Sequence, residues 1–138
     1  MKGRPKTGTT GEQHFVVEAR HAIDFADDKM PAVLSTPWLI WFLEHAARDA
    51  VLSFLEPVES TVGTYLEVRH LAPTPVGATV TCRARVVQVE GAVVSFQLEA
   101  HDEHEAIGRG FHKLCVINVD RFAQKVRGKI ASRAGNPG

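Results

Sequence analysis

Residues 36–55, TPWLIWFLEHAARDAVLSFL, constrain this chain more than any other stretch, because they read as about five helical turns ending before Pro57. Thr36 suits an N-cap, and Pro37 suits the first helical position, where a missing N–H costs nothing. At about 100° per residue, Leu39, Ile40, Leu43, Ala47, Ala50, Val51 and Phe54 fill a broad apolar arc, with His45, Arg48, Asp49 and Ser53 opposite. One long helix with that much apolar surface, and no second helix to meet, must bury itself against a sheet.

The chain supplies that sheet next. After the helix the apolar period falls to two, and segments 61–70, 79–89, 92–101 and 106–119 read as strands. Cys82, Ala84 and Val86 alternate with Thr81, Arg83 and Arg85; Phe96, Leu98 and Ala100 alternate with Ser95, Gln97 and Glu99. Glu90-Gly91 and the segment 101–105 are hairpin turns, so these neighbours run antiparallel. A further strand precedes the helix around His14-Phe15-Val16-Val17, within 12–19. Segment 21–35 fits neither period. It holds Phe25, Met30, Val33 and Leu34 in a loop bounded by Pro31, which suggests a cover over something.

The expected fold is therefore α+β: a five-stranded antiparallel sheet, its last four strands a meander, wrapped around one central helix. That is the hot-dog architecture. At 138 residues one domain is expected, spanning 12–128, with flexible tails at 1–11 and 129–138. Residues 126–138, rich in Lys, Arg and Gly, read as frayed. An exposed edge strand invites pairing with a second copy, so a homodimer or a dimer of dimers is expected.

Composition narrows the partners. Sixteen Lys and Arg balance sixteen Asp and Glu, without the basic excess of a nucleic-acid binder or a polybasic membrane anchor. No run approaches the ~18 apolar residues of a transmembrane helix. The opening residues MKGRPKTGTTG lack the apolar core of a signal peptide, so a cytoplasmic protein is expected. Cys82 and Cys115, both in strand-like segments, then read as buried reduced thiols.

Four residues stand at telling intervals. Thr36 opens the helix, Glu44 follows eight residues on, His70 ends the next strand 26 residues later, and Gly63 precedes that histidine by seven. Together with Thr61-Val62-Gly63-Thr64 and Val68-Arg69-His70-Leu71-Ala72 … Pro75-x-Gly77, this pattern resembles the fluoroacetyl-CoA thioesterase family of hot-dog proteins. The resemblance covers about residues 15–129. It implies that Thr36, Glu44 and His70 are catalytic and that Gly63 offers its backbone N–H to a substrate carbonyl. The physical chemistry agrees: thioester hydrolysis needs an attacking oxygen, a base or covalent carboxylate, and donors for the developing oxyanion. A helix N-terminus favours an anion, an imidazole moves a proton near neutral pH, and a carboxylate serves as base or nucleophile. Each residue also has a plainer role: Thr36 as cap, Glu44 as the i,i+4 partner of Arg48, His70 as a strand-end histidine, Gly63 at a bulge. Eight helical residues rise ~12 Å, so Thr36 and Glu44 do not touch. Either the substrate and His70 bridge them or two subunits share the site, and a site at the dimer interface is expected.

The resemblance breaks at the cover. Six positions before the threonine, where that family carries an aromatic lid residue, this chain has Met30, which puts a fluoroacetyl gate in question. Gly108-Arg109-Gly110 sets Arg109 where backbone could approach CoA. His101-x-x-His104, with Asp102, Glu103 and Glu105, reads as a solvated turn rather than a metal site. His112 reads as structural, and Trp38 and Trp41 as core. The implied activity is hydrolysis of a short or small acyl-CoA, without metal or redox cofactor. The alternatives are a non-catalytic acyl-CoA-binding or regulatory domain, or an enoyl hydratase, whose Asp/His pair belongs to a different motif.

Overall fold

Ser35, not Thr36, caps the long helix. Its backbone is extended and its hydroxyl accepts from the Trp38 N–H at 3.4 Å, so helix α1 (Thr36–Val51) starts on the threonine itself. The cap leaves the Thr36 hydroxyl free for other work. The helix gives way to a 3₁₀ turn over Leu52–Phe54.

The computed structural model describes residues 1–134. It contains strands β1 (Thr10–Val16), β2 (Glu59–His70), β3 (Thr79–Glu90), β4 (Val93–His101) and β5 (Ala106–Asn118), followed by helix α2 (Val119–Ala134). The strands form one antiparallel sheet curled around α1, the hot-dog fold. No helix among the described residues is long and apolar enough to cross a membrane.

The sheet is not a meander. Its order is β1-β3-β4-β5-β2, so β2 pairs with β5 at one edge instead of with its successor. The cause lies in the connection between β2 and β3. A tight hairpin needs about 2–5 residues, whereas residues 71–78 hold Pro73 and Pro75 and run across the end of the sheet. There the Leu34 N–H donates to the Thr74 carbonyl and the Gly77 N–H to the Val17 carbonyl, which stitches the crossing to the loop before α1.

Leu39, Leu43 and Val51 of α1 are buried against Val80, Val86, Phe96 and Leu98 of the sheet. Each such side chain contributes ~1.5–3 kcal/mol. The helix packs chiefly over β1 and β3 and barely meets β2 and β5. Gly11 permits the β1 contact. A Cβ there would run into the Ala46 carbonyl oxygen and the Ala50 amide of α1.

Both ends differ from expectation. The first residues are docked: the Met1 ammonium lies 2.9 Å from the Glu59 carboxylate, the Lys2 N–H donates to the Phe54 carbonyl, and Gly8 and Thr9 bond Val86. At the other end, residues 126–134 continue α2 instead of fraying, while 135–138 lie outside the described residues. Trp38 packs beside His21 and Phe42, but Trp41 is 43% exposed and stacks on the His45 ring, so it is not core.

Candidate active site

The end of β2 and the start of α1 meet at one contact, in which the Thr36 hydroxyl and His70 Nδ1 are 2.8 Å apart. Pairing with Gly108 of β5 fixes His70 at the last position of its strand, and the Leu71 N–H then donates to the Ile107 carbonyl. Burial holds the His70 imidazole below its ordinary pKa, so it is neutral near pH 7. Its Nε2 is buried with no hydrogen-bond partner among the described residues. A neutral ring bonded to a hydroxyl through one nitrogen can take a proton on whichever nitrogen lacks one.

Thr36 lies between two cavities. One, of about 340 Å³, is walled by Ile23, Val33, Leu34, His70 and Ala72; the other, of about 420 Å³, by Arg20, Phe25, Ser35 and Trp38 among others. The loop before α1 thus covers this end of the helix. It is pinned by bridges from Ala22 to Leu34 and from Val33 to Pro75. Met30 sits at the tip, where its N–H donates to the Asp27 carboxylate, and it lines neither cavity. Phe25, 67% exposed, is the aromatic of this loop beside Thr36.

Glu44 and Gly63 form a second cluster. They line a separate cavity of about 270 Å³ with Thr64, Tyr65, Leu66 and His112. Glu44 makes no ion pair with Arg48 among the described residues, and its exposed carboxylate faces this opening. The spacing of Gly63 from His70 is odd, which in a regular strand would put them on opposite faces. An extra residue at Thr64 bulges the strand and resets the alternation, and the Thr64 hydroxyl donates to the Lys113 carbonyl at 3.2 Å. Gly63 therefore faces the helix side. A Cβ there would lie 3.2 Å from His112 Cε1 and 4.0 Å from Glu44 Oε1.

His112 is the residue that sequence reasoning passed over. It is 2% exposed, stacks on Phe96, and its Nδ1 lies 2.9 Å from the Tyr65 carbonyl oxygen. Burial lowers its pKa, and the Glu44 carboxylate partly opposes that shift. A histidine in an alternating strand reads as core, and nothing local signals a carboxylate on the facing helix.

Arg109 stands apart from both clusters. Gly108 and His112 face α1, so Arg109 points to the outer face, opposite Arg69 and Glu99. It borders an open polar cavity of about 520 Å³ with Arg83, Arg85 and Gln97, larger than the three described above and lined by neither Thr36 nor Glu44. In the turn 101–105, Asp102 accepts from the His104 and Glu105 N–H groups and from the Thr74 hydroxyl, while Glu103 accepts from Thr79. These carboxylates tie the β4–β5 turn to the β2–β3 crossing.

Comparison with known proteins bears on what these clusters do. A family model described as FlK, fluoroacetyl-CoA-specific thioesterase, matches residues 16–120. The fluoroacetyl-CoA thioesterase of Streptantibioticus cattleyicolor is 35% identical over 137 residues, spanning 94% of this chain and 97% of its own length. A variant of the fluoroacetyl-CoA-specific thioesterase FlK superimposes with a TM-score of 0.85 at 34% identity, covering 93% of this chain and 99% of that one. A thioesterase superfamily member from Thermus thermophilus reaches a TM-score of 0.88 at 27% identity, covering 96% and 98%. Further solved forms of FlK hold acetyl-CoA, or fluoroacetate with CoA.

Proposed function

Because the chain belongs to the fluoroacetyl-CoA-specific thioesterase family, we propose that it hydrolyses a short or otherwise small acyl-CoA to the free acid and CoA. The observation that carries this reading is the Thr36–His70 hydrogen bond at the opening end of α1, in a chain whose relatives include an enzyme solved with acetyl-CoA.

The roles follow from the chemistry. The thioester carbonyl oxygen rests at the positive end of α1, by the Thr36 hydroxyl, with the Gly63 N–H as a second donor. Glu44 drives the attack, as general base toward water or as nucleophile forming a mixed anhydride that water then cleaves. Neutral His70 receives a proton and returns it as the C–S bond breaks and the CoA thiolate leaves. The loop that carries Met30 at its tip covers this end of the site, and the outer-face guanidinium of Arg109 suits the phosphates of CoA.

Within one chain the two clusters lie in separate cavities, and a homodimer would unite them. Gly63 and His70 are ~23 Å apart along β2, whose outer edge pairs with no strand among the described residues. Antiparallel pairing of two β2 edges about their midpoint would set His70 of one protomer against the partner's Gly63, and Thr36 against the partner's Glu44. Free Cys82 and Cys115 suit a reducing, cytoplasmic setting. The test is thiol release from fluoroacetyl-, acetyl- and longer acyl-CoAs. Release from at least one of them is expected, and binding without release from any would leave a non-catalytic domain.

A further inference from the structure

We propose that His112 is a positioning residue for the hydrolytic water, holding it between its own Nε2 and the Glu44 carboxylate in the cavity beside Gly63. The inference rests on the hydrolase reading above and adds a residue to that site.

Three features of the geometry carry it. First, the tautomer is fixed: the Tyr65 carbonyl oxygen can only accept, so the His112 nitrogen 2.9 Å away must be Nδ1–H. A neutral ring protonated there presents Nε2 as a lone pair, and Nε2 has no hydrogen-bond partner among the described residues. Second, the ring is held in place, stacked on Phe96 of β4 and bonded to β2, and it is nearly fully buried. Third, the cavity it borders is also bordered by Glu44 and Gly63, with no direct Glu44–His112 hydrogen bond among the described residues. Two acceptors that share a cavity without touching suit a molecule that donates twice, which is what water does. The absence of a side chain at Gly63 keeps the space open; a Cβ would close on the ring at 3.2 Å.

The step balances with Glu44 as general base. Water attacks the acyl carbon of the thioester, one of its protons passes to the Glu44 carboxylate, and its other O–H donates to His112 Nε2 until the tetrahedral intermediate collapses. The C–S bond then breaks, and the CoA thiolate takes up the proton from Glu44. The imidazole must be neutral for this. Glu44 of α1 is the charged group facing it; β2 offers the Tyr65 carbonyl and β4 the Phe96 ring, neither of which titrates.

The experiment pairs two substitutions with a measurement on the unmodified protein. His112→Asn keeps a donor near the Nδ1 position and deletes the acceptor, so kcat should fall ~10-fold or more with KM little changed, and the acid limb of the pH profile should move. His112→Gln puts an amide at the Nε2 position and should recover part of the loss. Nitrogen NMR of the wild-type ring should show the Nδ1–H tautomer, with its titration moved to lower pH in Glu44→Gln. An Nε2–H tautomer, or a His112→Asn enzyme with the wild-type rate and pH profile, overturns the proposal alone. A wild-type protein that releases no thiol from any acyl-CoA overturns the hydrolase reading, and this proposal with it.

Discussion

Glu44 stands on α1 without an ion-pair partner among the described residues, so its removal costs little stability and should reveal chemistry cleanly. Glu44→Gln keeps the shape and deletes the base or nucleophile. Turnover should fall at least ~10²-fold with the melting temperature unchanged, and an unaltered rate would show the carboxylate to be idle. Three histidines wholly or partly withdrawn from water make a second residue-scale prediction. His21, His70 and His112 all sit below the ordinary value of 6.5, chiefly because burial disfavours their charged forms. The unfolded chain binds these protons better than the folded one, so their contribution is complete above pH 6.5 and is lost as pH falls from there through the lowered values. Melting curves at pH 7.5, 6.5 and 5.5 should show falling stability across that interval; a flat response would contradict the burial. Thr36 and His70 were legible in the sequence because residue type and interval coincide there. His112 was not, since its partners lie on β2 and α1, and the Thr64 bulge that turns Gly63 inward exists only in the pairing with β5.

At the scale of elements, period located α1 and the last four strands to within a few residues and β-propensity located the first, while helix α2 reads in the sequence as the end of a strand and a frayed tail. The connections were less legible. An eight-residue link with two prolines says that no tight hairpin forms, but it does not say which strand lies beyond. The close approach of β1 to α1 gives a test. Gly11→Ala should destabilise by about 1–3 kcal/mol, because the added carbon meets helix backbone that cannot swing aside, and thermal melting would show the loss as several degrees. The cover loop gives another. Apolar pockets separate substrates differing by one small group by only ~1–3 kcal/mol, so strong rejection of acetyl-CoA would need a dedicated gate. Met30, at the exposed loop tip and away from both Thr36 cavities, does not supply one. The expected kcat/KM for fluoroacetyl-CoA is within a few-fold of that for other short acyl-CoAs, and a preference above ~10⁴-fold over acetyl-CoA would refute this view of the loop.

Taken whole, the described residues leave β2 with one free edge and little helix above it, the arrangement that a second copy of the chain would complete. Light scattering at micromolar concentration should give at least a dimer. Mixing offers a sharper test of a shared site. Glu44→Gln and His70→Asn protomers, each inactive alone, should regain about a quarter of wild-type turnover after mixed refolding, because half of the dimers are mixed and each of those holds one intact site. No recovery would place a complete site in each chain. The sheet order also bears on how the protein is made. The strand that carries Gly63 and His70 is synthesised second but pairs with the strand synthesised last, Gly63 with Leu114 and His70 with Gly108. During translation β2 must therefore wait, unpaired, until some forty further residues have left the ribosome, while β3, β4 and β5 can zip together as local hairpins. Nascent chains stopped before about residue 108 should keep β2 open to protease, and completed chains should protect it; the long-lived hazard on the way is capture of that waiting edge by another unfinished copy.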